Sequence, residues 1–205
     1  MARHSNSVSN PIRAWKYNVG SVAGLHLEDQ GFPKKCGHLE NKSVIPRAQY
    51  IAKIRAAVDA RRDPDFLIIA RTDARAMHGM DEAIARANEA LAVGADMAFV
   101  EAAQSLDEVA EIPRRVNGPC LLNLVWKGKT PDVPFHDAES MGYKLAILPG
   151  MLMKAGMAVF DEVLAETLKT GRHAAIKNPL SPQEVFNRVG AKDWDVLSAD
   201  YRQDA

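Results

Sequence analysis

The sequence has little cysteine, no excess of either charge and no long apolar run. Only two cysteines, Cys36 and Cys120, occur among 205 residues, which argues against a disulfide framework and for a reducing compartment such as the cytoplasm. Lys+Arg and Asp+Glu are equal at 26 each, so no global field favours nucleic acid or an anionic membrane. No apolar stretch approaches the ~20 residues that span a bilayer. A small-molecule partner is therefore expected.

Acidic residues are also absent before Glu28. Residues 1–20 are rich in Ser and Asn and show no apolar periodicity, which predicts a polar N-terminal arm. The lack of acids beside Arg3, Arg13 and Lys16 is also typical of an organellar transit peptide, and this is the alternative interpretation.

From residue 21 onward, short apolar runs alternate with amphipathic helices. Strands are predicted at 22–27, 66–70, 97–100, 120–124 and 145–148. Helices are predicted after Pro46, over 81–93, and after Ser105, where Pro113 should shorten or distort the helix. Repeated strand–helix units of this kind predict an α/β fold with a parallel sheet.

A longer helix is predicted over 151–170, ending at Gly171. Its apolar face is expected to be buried and comprises Met153, Met157, Phe160, Leu164 and Leu168. Beyond it lies a helical tail with Phe186, Trp194 and Tyr201, aromatic residues that need a surface to cover. That surface is either the same chain or a neighbouring subunit.

Charged or amide side chains stand at the ends of four predicted strands. They are Glu28, Arg71, Glu101 and Asn123. The carboxyl ends of parallel strands meet at one edge, where α/β barrels place their active sites. Arg71 suits bidentate recognition of a carboxylate, and Glu28 suits a hard divalent cation. The plainer alternatives are a solvated strand end and, for Glu28, an ion pair with Lys or Arg.

The loop after the first strand carries Lys35, Cys36, Gly37 and His38. A thiol is mostly protonated at neutral pH, so Cys36 suits the donation of a proton to a carbanion. A zinc site would lack two further ligands, a Cys–His nucleophilic pair is poorly placed two residues apart, and an inert cysteine would normally be buried. Gly37 would let the loop close over a substrate, while Lys35 and His38 would bring positive charge or donors.

Glu28-Asp29-Gln30 followed by Lys34-Lys35-Cys36-Gly37-His38 resembles the isocitrate lyase and phosphoenolpyruvate mutase superfamily. Its lyase members carry a Lys-Lys/Arg-Cys-Gly-His loop after a strand ending in Glu-Asp-Gln. The resemblance runs from about Gly20 to the C-terminus and is strongest to 2-methylisocitrate lyase-like and carboxyphosphonoenolpyruvate mutase-like members.

The resemblance implies a (β/α)8 barrel of TIM type with a C-terminal helical extension. It implies that Lys35, Cys36, Gly37 and His38 form the catalytic loop, and that Glu28 holds magnesium or manganese. Arg71, Glu101 and Asn123 would bind the substrate. It also implies a homo-oligomer in which the C-terminal helices pack on a neighbouring subunit.

Five predicted strands are fewer than the eight of a full barrel, which takes about 250 residues. None of the predicted strands ends in the Asp-x-Asp with which the family holds magnesium, and the family's Ser-Gly loop is missing. We therefore expect an incomplete barrel, with a polar arm at 1–20, barrel units at 21–171 and a helical tail at 172–205. Such a chain should bind magnesium weakly, because Glu28 would be its single carboxylate ligand. By itself it should cleave no methylisocitrate, dimethylmalate or oxaloacetate above background.

The function that the resemblance implies is magnesium-dependent cleavage of a C–C bond. The substrate would be a 2-hydroxy or 2-oxo di- or tricarboxylate, 2-methylisocitrate-like or dimethylmalate-like, and a 2-oxo acid would be released while Cys36 protonates the departing carbanion. The alternatives are carboxyphosphonoenolpyruvate mutase chemistry, oxaloacetate hydrolysis, and an inactive truncated homologue or partner subunit.

Two positions limit how far the substrate can be inferred. Several family members read Asn-Met-x-Glu-Gly-Gly-Lys-Thr-Pro where this sequence has Trp126 and Lys127 between Val125 and Gly128. A bulky Trp126 changes both volume and charge near the pocket, so the substrate does not transfer from the family.

Asp73 and His78, which nothing in the pattern supports as site residues, are interpreted as structural.

Overall fold

The computed structural model describes residues 22–202, with side chains up to residue 198. Its strands are β1 (Gly24–Glu28), β2 (Leu67–Thr72), β3 (Met97–Val100), β4 (Leu121–Asn123) and β5 (Leu145–Ile147). Its helices are α1 (Arg47–Ala60), α2 (Arg75–His78), α3 (Met80–Ala92), α4 (Leu106–Arg115), α5 (Phe135–Met141), α6 (Met151–Thr170), α7 (Pro182–Arg188) and α8 (Ala191–Arg202). The predicted arm at 1–20 and the side chain of Tyr201 lie outside the described residues.

Each strand pairs in parallel with the next strand along the chain. β1, β2 and β3 form one sheet and β4 pairs with β5. A parallel bridge between Ala98 and Cys120 connects β3 to β4. Glu28 is in register with Arg71, so the polar ends of β1 and β2 lie side by side. A helix lies between each pair of consecutive strands along the chain, as the crossover connection of parallel strands requires.

Helices α1, α3 and α4 bury their apolar faces, as the predicted periodicity requires. Tyr50 and Ile54 of α1 pack with Ala70 and Ala90 in one core cluster, and Val109 and Ile112 of α4 belong to another. α1 begins after Pro46, which suits the first turn because proline has no N–H to satisfy. Gly94, with φ +105°, follows α3 as the predicted terminating glycine.

Pro113 does not end α4, so the first of the two predicted effects, a shortened helix, is not seen, and a distortion stays a prediction. The helix runs through it to Arg115. A proline leaves the carbonyl four residues earlier without its helical donor, and here the Tyr143 hydroxyl donates to that oxygen, Val109 O, at 2.9 Å. The side chain from the segment before β5 thus supplies the missing hydrogen bond. Burial of Tyr143 raises the pKa of its hydroxyl, which therefore stays protonated as a donor.

The chain forms two compact units, one up to Met151 and one from Leu152 onward. The domain boundary predicted after residue 171 falls inside the second unit and stays a prediction. α6 has the predicted bounds, but the prediction that its apolar face is buried is wrong, since Phe160 is 65% exposed and Leu168 85% exposed. Periodicity identifies an apolar face without saying what covers it. None of the helices between residues 22 and 202 is both long and apolar enough to cross a bilayer.

Candidate active site

Four polar side chains meet at the carboxyl ends of the first four strands, as predicted. Glu28 ends β1, Arg71 lies near the end of β2, Glu101 follows β3 and Asn123 ends β4. Glu101 is 1% exposed, Arg71 and Asn123 are 8% exposed, and buried polar groups of this kind must satisfy one another or a ligand. The strand ends therefore form a polar site inside the fold.

Arg71 lies at the centre of this site between three carboxylates. Its Nε is 2.9 Å from Asp73 Oδ2 and 3.3 Å from Glu28 Oε2, and its Nη2 is 3.4 Å from Glu101 Oε2. Its guanidinium carbon lies 5.0 Å from the centre of the Phe99 ring. Burial opposes the charge on Arg71, but the hydrogen bonds to Asp73 and the charge of Glu101 outweigh it and raise the pKa. Arg71 is therefore a fixed positive charge.

Asp73 belongs to the site, which corrects its interpretation as a structural residue. Its Oδ1 accepts hydrogen bonds from Gln30 Nε2 at 3.0 Å and Lys42 Nζ at 3.1 Å. Burial disfavours its charge, but Arg71 and Lys42 more than offset this and lower the pKa of Asp73. The signal available was the spacing of Arg71 and Asp73, because residues two apart on a strand face the same side.

Asp29 faces away from Glu28, as neighbours on a strand should. Its oxygens accept from Thr72 Oγ1 at 2.6 Å, from the backbone N–H of Asp73 at 2.8 Å and from Arg86 Nη1 at 3.2 Å. Burial raises the pKa of Asp29 despite these donors. Asp29 thus connects the end of β1 to the end of β2 through hydrogen bonds.

The loop that follows β1 lies directly on the site. His38 Nε2 is 2.8 Å from Glu101 Oε1, though its N–H direction is not aligned for a regular hydrogen bond. Asn123 Nδ2 donates to both oxygens of Glu101 at 3.2 Å. Gly37 comes so near that a Cβ there would lie 2.6 Å from Arg71 Nη2. The loop is thus closed over Arg71 and Glu101.

The rest of the loop is held at its base. Gln30 exchanges hydrogen bonds of 3.0 Å with the backbone N–H and carbonyl of Lys35, and Lys34 Nζ lies 2.9 Å from Glu28 Oε2. The ammonium of Lys35 donates to Asn41 O at 3.0 Å, within the loop itself. Cys36 is exposed.

The structure therefore brings six of the predicted site residues into one network. These are Glu28, Gly37, His38, Arg71, Glu101 and Asn123. The side chains of Lys35 and Cys36 stay outside that network, on the exposed part of the loop. The catalytic and binding roles assigned to all eight residues stay predictions.

Two buried polar atoms beside Glu101 have no hydrogen-bond partner among the described residues. They are His38 Nε2 and Asn123 Oδ1. With Asn123 Nδ2 donating to Glu101, Oδ1 must be an acceptor, whereas His38 Nε2 is available as a donor. A ligand hydroxyl, which both donates and accepts, matches this pair. Leaving both atoms unpaired would cost roughly 1–3 kcal/mol each.

A cavity of about 420 Å³ is formed by the segments that follow β4 and β5, beginning at the residue after Asn123. It is lined by residues 124–128, 130–132, 148, 149 and 151. Trp126 and Lys127 stand on its wall, with Lys127 Nζ 5.4 Å from the centre of the Trp126 ring. The positions where the sequence departs from the family pattern therefore line a space of ligand size.

The described residues do not by themselves fit a magnesium ion. Among residues 22–198 no group of three or more His, Cys, Asp or Glu side chains is placed to hold a metal. Glu28, the predicted ligand, is paired with Lys34 and Arg71, whose charges oppose a cation. A phosphonopyruvate hydrolase of similar fold was solved with oxalate and Mg²⁺ (TM-score 0.78, 23% identity, 96% of this chain and 69% of that one), a likeness that speaks for the fold alone.

Asp73→Asn should destabilise the protein by about 2 kcal/mol at pH 7, because Lys42 and Arg71 lose a charged acceptor. The pKa of Asp73 is lowered in the folded state, so its contribution is fully present above the ordinary value of 3.8 and is lost as pH falls through the folded-state pKa. Urea unfolding of both proteins from pH 7 to pH 2 should show the difference shrinking at the acid end.

Asp65→Asn is the control, since Asp65 is exposed and its replacement should change the unfolding free energy by less than about 0.5 kcal/mol. A difference between Asp73→Asn and wild type that stays constant with pH would show that Asp73 contributes through shape and not through its charge.

Parallel strands in chain order with connecting helices, and polar side chains gathered at the strand ends, are the arrangement of a TIM-barrel-type α/β fold. A family profile described as phosphoenolpyruvate phosphomutase matches residues 6–168. The chain belongs to this family, within the phosphoenolpyruvate mutase and isocitrate lyase superfamily. The resemblance inferred from the loop motif and the predicted fold class are thereby confirmed.

Named relatives include both lyases and hydrolases. The chain is 39% identical to 2-methylisocitrate lyase of Aeropyrum pernix over 185 residues, covering 90% of this chain and 59% of that protein. Solved structures of 2,3-dimethylmalate lyase (TM-score 0.85, 31% identity, 96% of this chain and 66% of that one) and oxaloacetate acetylhydrolase (TM-score 0.84, 32% identity, 94% and 67%) share its fold. The chain thus spans about three fifths to two thirds of the length of these relatives.

Proposed function

We propose that this protein cleaves a C–C bond in a 2-hydroxy di- or tricarboxylate of the 2-methylisocitrate or dimethylmalate type and releases a 2-oxo acid. The observation that carries the proposal is the unpaired donor and acceptor, His38 Nε2 and Asn123 Oδ1, beside Glu101 and the fixed charge of Arg71. A 2-hydroxy acid offers a hydroxyl to His38 Nε2 and Asn123 Oδ1, and it offers a carboxylate to Arg71.

The cleavage would proceed as a retro-aldol reaction. The substrate hydroxyl would give its proton to the Glu101 carboxylate beside it as its carbon becomes a carbonyl, and the electron pair of the broken C–C bond leaves with the departing fragment. That fragment is a carbanion stabilised by its own carboxylate, and the Cys36 thiol gives it a proton. Cys36 lies outside the buried network, on the exposed part of a Gly-rich loop, so it would meet the substrate from the solvent side of the site.

Arg71 would hold the carboxylate next to the reacting hydroxyl. The partners of Arg71 in this structure are three protein carboxylates, and the substrate carboxylate would replace one of them. Glu28 is the most accessible of the three, because its side chain is 13% exposed whereas those of Asp73 and Glu101 are 0% exposed. Lys34 already pairs with Glu28 and would compensate that carboxylate when Arg71 turns to the ligand.

Dependence on magnesium is part of the proposal, with Glu28 as the ligand that the described residues contribute. Bound there, the ion would supply charge stabilisation for the 2-oxo acid. Its other ligands would have to come from water, substrate or residues outside 22–198, since one carboxylate is a weak site for an ion that gives up its water reluctantly.

We also place the protein in the cytoplasm, because its two cysteines are unpaired.

Oxaloacetate hydrolysis is the second candidate, and one observation favours it. The cavity beside the site carries Lys127, a cation suited to a second carboxylate, and oxaloacetate acetylhydrolase shares the fold. Mutase chemistry is the alternative that the family description suggests, and an inactive homologue or a partner subunit is the non-enzymatic one.

The test is an assay of the purified protein with 2-methylisocitrate, 2,3-dimethylmalate and oxaloacetate, each with and without Mg²⁺. The proposal requires metal-dependent release of a 2-oxo acid from one of the first two, in contrast to the background-level cleavage expected of an incomplete barrel. Arg71→Ala should abolish this release, while Arg114→Ala, at an exposed site, should not. Oxalate from oxaloacetate would establish the second candidate. No product from any substrate would refute the lyase proposal and support an inactive homologue.

A homo-oligomer is a further part of the proposal. α6 exposes Leu152, Met157, Phe160 and Leu168, and the tail exposes Trp194; large exposed apolar side chains grouped on one element are typical of a protein–protein contact. Deleting the residues after Lys177 should therefore shift the protein to smaller species or into aggregates. Sedimentation velocity measures this, and a stable monomer for the intact protein would contradict the proposal.

A further inference from the structure

His38 is held from both sides, by Glu101 and by a second loop. Its Nε2 lies 2.8 Å from Glu101 Oε1, and its Nδ1 accepts a hydrogen bond of 2.8 Å from the backbone N–H of Lys129. The side chain is only 7% exposed. The loop after β4 thus contacts the catalytic loop through the hydrogen bond from Lys129 N–H to His38 Nδ1.

A tight turn places that N–H. The backbone N–H of Gly128 donates to Val125 O at 2.8 Å, which closes a four-residue turn directly before Lys129. Lys127, the third residue of this turn, has φ +58°. A positive φ at the third position is typical of the turns that favour glycine there. Gly128 permits the close approach, because a Cβ there would lie 2.7 Å from His38 Nδ1.

A neutral imidazole has one N–H and one acceptor nitrogen, and their positions are set by its partners. A backbone N–H can only donate, so the hydrogen bond from Lys129 makes Nδ1 the acceptor. The proton of the neutral ring is then on Nε2. That nitrogen faces a buried carboxylate, which accepts, and has no aligned partner of its own.

We propose that the backbone amide of Lys129, carried by the Val125–Gly128 turn, is a positioning group that holds His38 as the Nε2–H tautomer. In this form His38 presents a proton to the substrate hydroxyl or carbonyl oxygen beside Glu101. The opposite tautomer would set an N–H on Nδ1 against the N–H of Lys129 and an unprotonated Nε2 only 2.8 Å from the Glu101 carboxylate, and both contacts are repulsive. The role in turnover rests on the proposed function, whereas the tautomer itself does not.

The side chain of Lys129 makes a separate contact that the proposal does not need. Its Nζ pairs with Glu40, which is 78% exposed, and an exposed pair contributes little. Glu40→Ala removes this pair and leaves the backbone N–H of Lys129 in place. It is therefore a matched control for variants that act on the turn.

The experiment is long-range ¹H–¹⁵N NMR of the protein, which distinguishes a protonated ring nitrogen from an unprotonated one. At a pH where His38 is neutral, we expect Nδ1 unprotonated and Nε2 protonated, in wild type and in Glu40→Ala alike. Lys129→Pro removes the donor and Gly128→Ala pushes the turn away from the ring, so both should show a mixture of tautomers. The Nδ1–H tautomer in wild type would overturn the proposal, even if neither variant folds.

Kinetics on the substrate found active adds the second readout. Lys129→Pro should lower kcat by about 10²-fold with KM changed by less than about threefold, while Glu40→Ala stays within about twofold of wild type. A normal kcat together with mixed tautomers would remove the positioning role. The expected tautomer in a protein without lyase activity would refute the proposed function and leave the hydrogen-bond assignment standing.

Discussion

Cys36→Ser is expected to lower kcat by about 10²–10⁴-fold, the range that a positioned acid contributes. Serine keeps the shape of the side chain, but its hydroxyl is a far weaker acid than a thiol. KM should stay nearly unchanged, because substrate binding is assigned to Arg71, Glu101 and Asn123, in the buried network that does not include Cys36. Steady-state kinetics of the two proteins measures both quantities.

Cys120→Ala is the control for this variant. Cys120 is fully buried, and burial raises the pKa of its thiol to about 11, so it should neither react nor take part in turnover. Alkylation of the wild type should therefore label Cys36 alone and stop activity. Near-normal kcat in Cys36→Ser, or activity that survives complete labelling, would remove Cys36 from the mechanism.

Most of the fold could be predicted, because parallel strands leave a strong pattern. Buried strands are short apolar runs, and the predicted positions differ from the observed ones by a few residues at the ends; β3 matches at Met97–Val100. The shortening expected at Pro113 is not seen, and the contact that replaces the lost hydrogen bond is one that local sequence does not show, since Tyr143 lies 34 residues away from Val109. Chain-distant hydrogen bonds can satisfy a group that local rules leave unpaired.

The candidate site was predictable where topology alone brings residues together. Glu28, Arg71, Glu101 and Asn123 all stand at carboxyl ends of neighbouring strands, so their convergence follows from parallel pairing. The contact between His38 and Lys129 spans 91 residues and joins two irregular loops, for which no periodic pattern exists. Only Gly128 offered a signal, and a glycine in a loop has many possible causes.

Gly37→Ala should lower turnover by about 10²-fold or more, because it prevents the loop from closing. An added Cβ would overlap the Glu101 side chain and lie 2.6 Å from Arg71 Nη2. Glu101 is 1% exposed and Arg71 is 8% exposed, so neither side chain has room to move aside. The loop must then shift outward and carry Cys36 and His38 with it, and a displacement of about 1 Å can cost this much.

Gly156→Ala provides the matched control, the same added methyl within helix α6. Its Cβ would meet Phe160 at an ordinary 3.7 Å, and replacing an interior helical glycine should raise stability by about 0.5–1 kcal/mol without changing kcat. Hydrogen exchange of residues 34–39 reports loop closure directly and should accelerate in Gly37→Ala alone. Unchanged exchange with normal turnover would contradict this prediction, because the site would then accept the added Cβ without opening the loop.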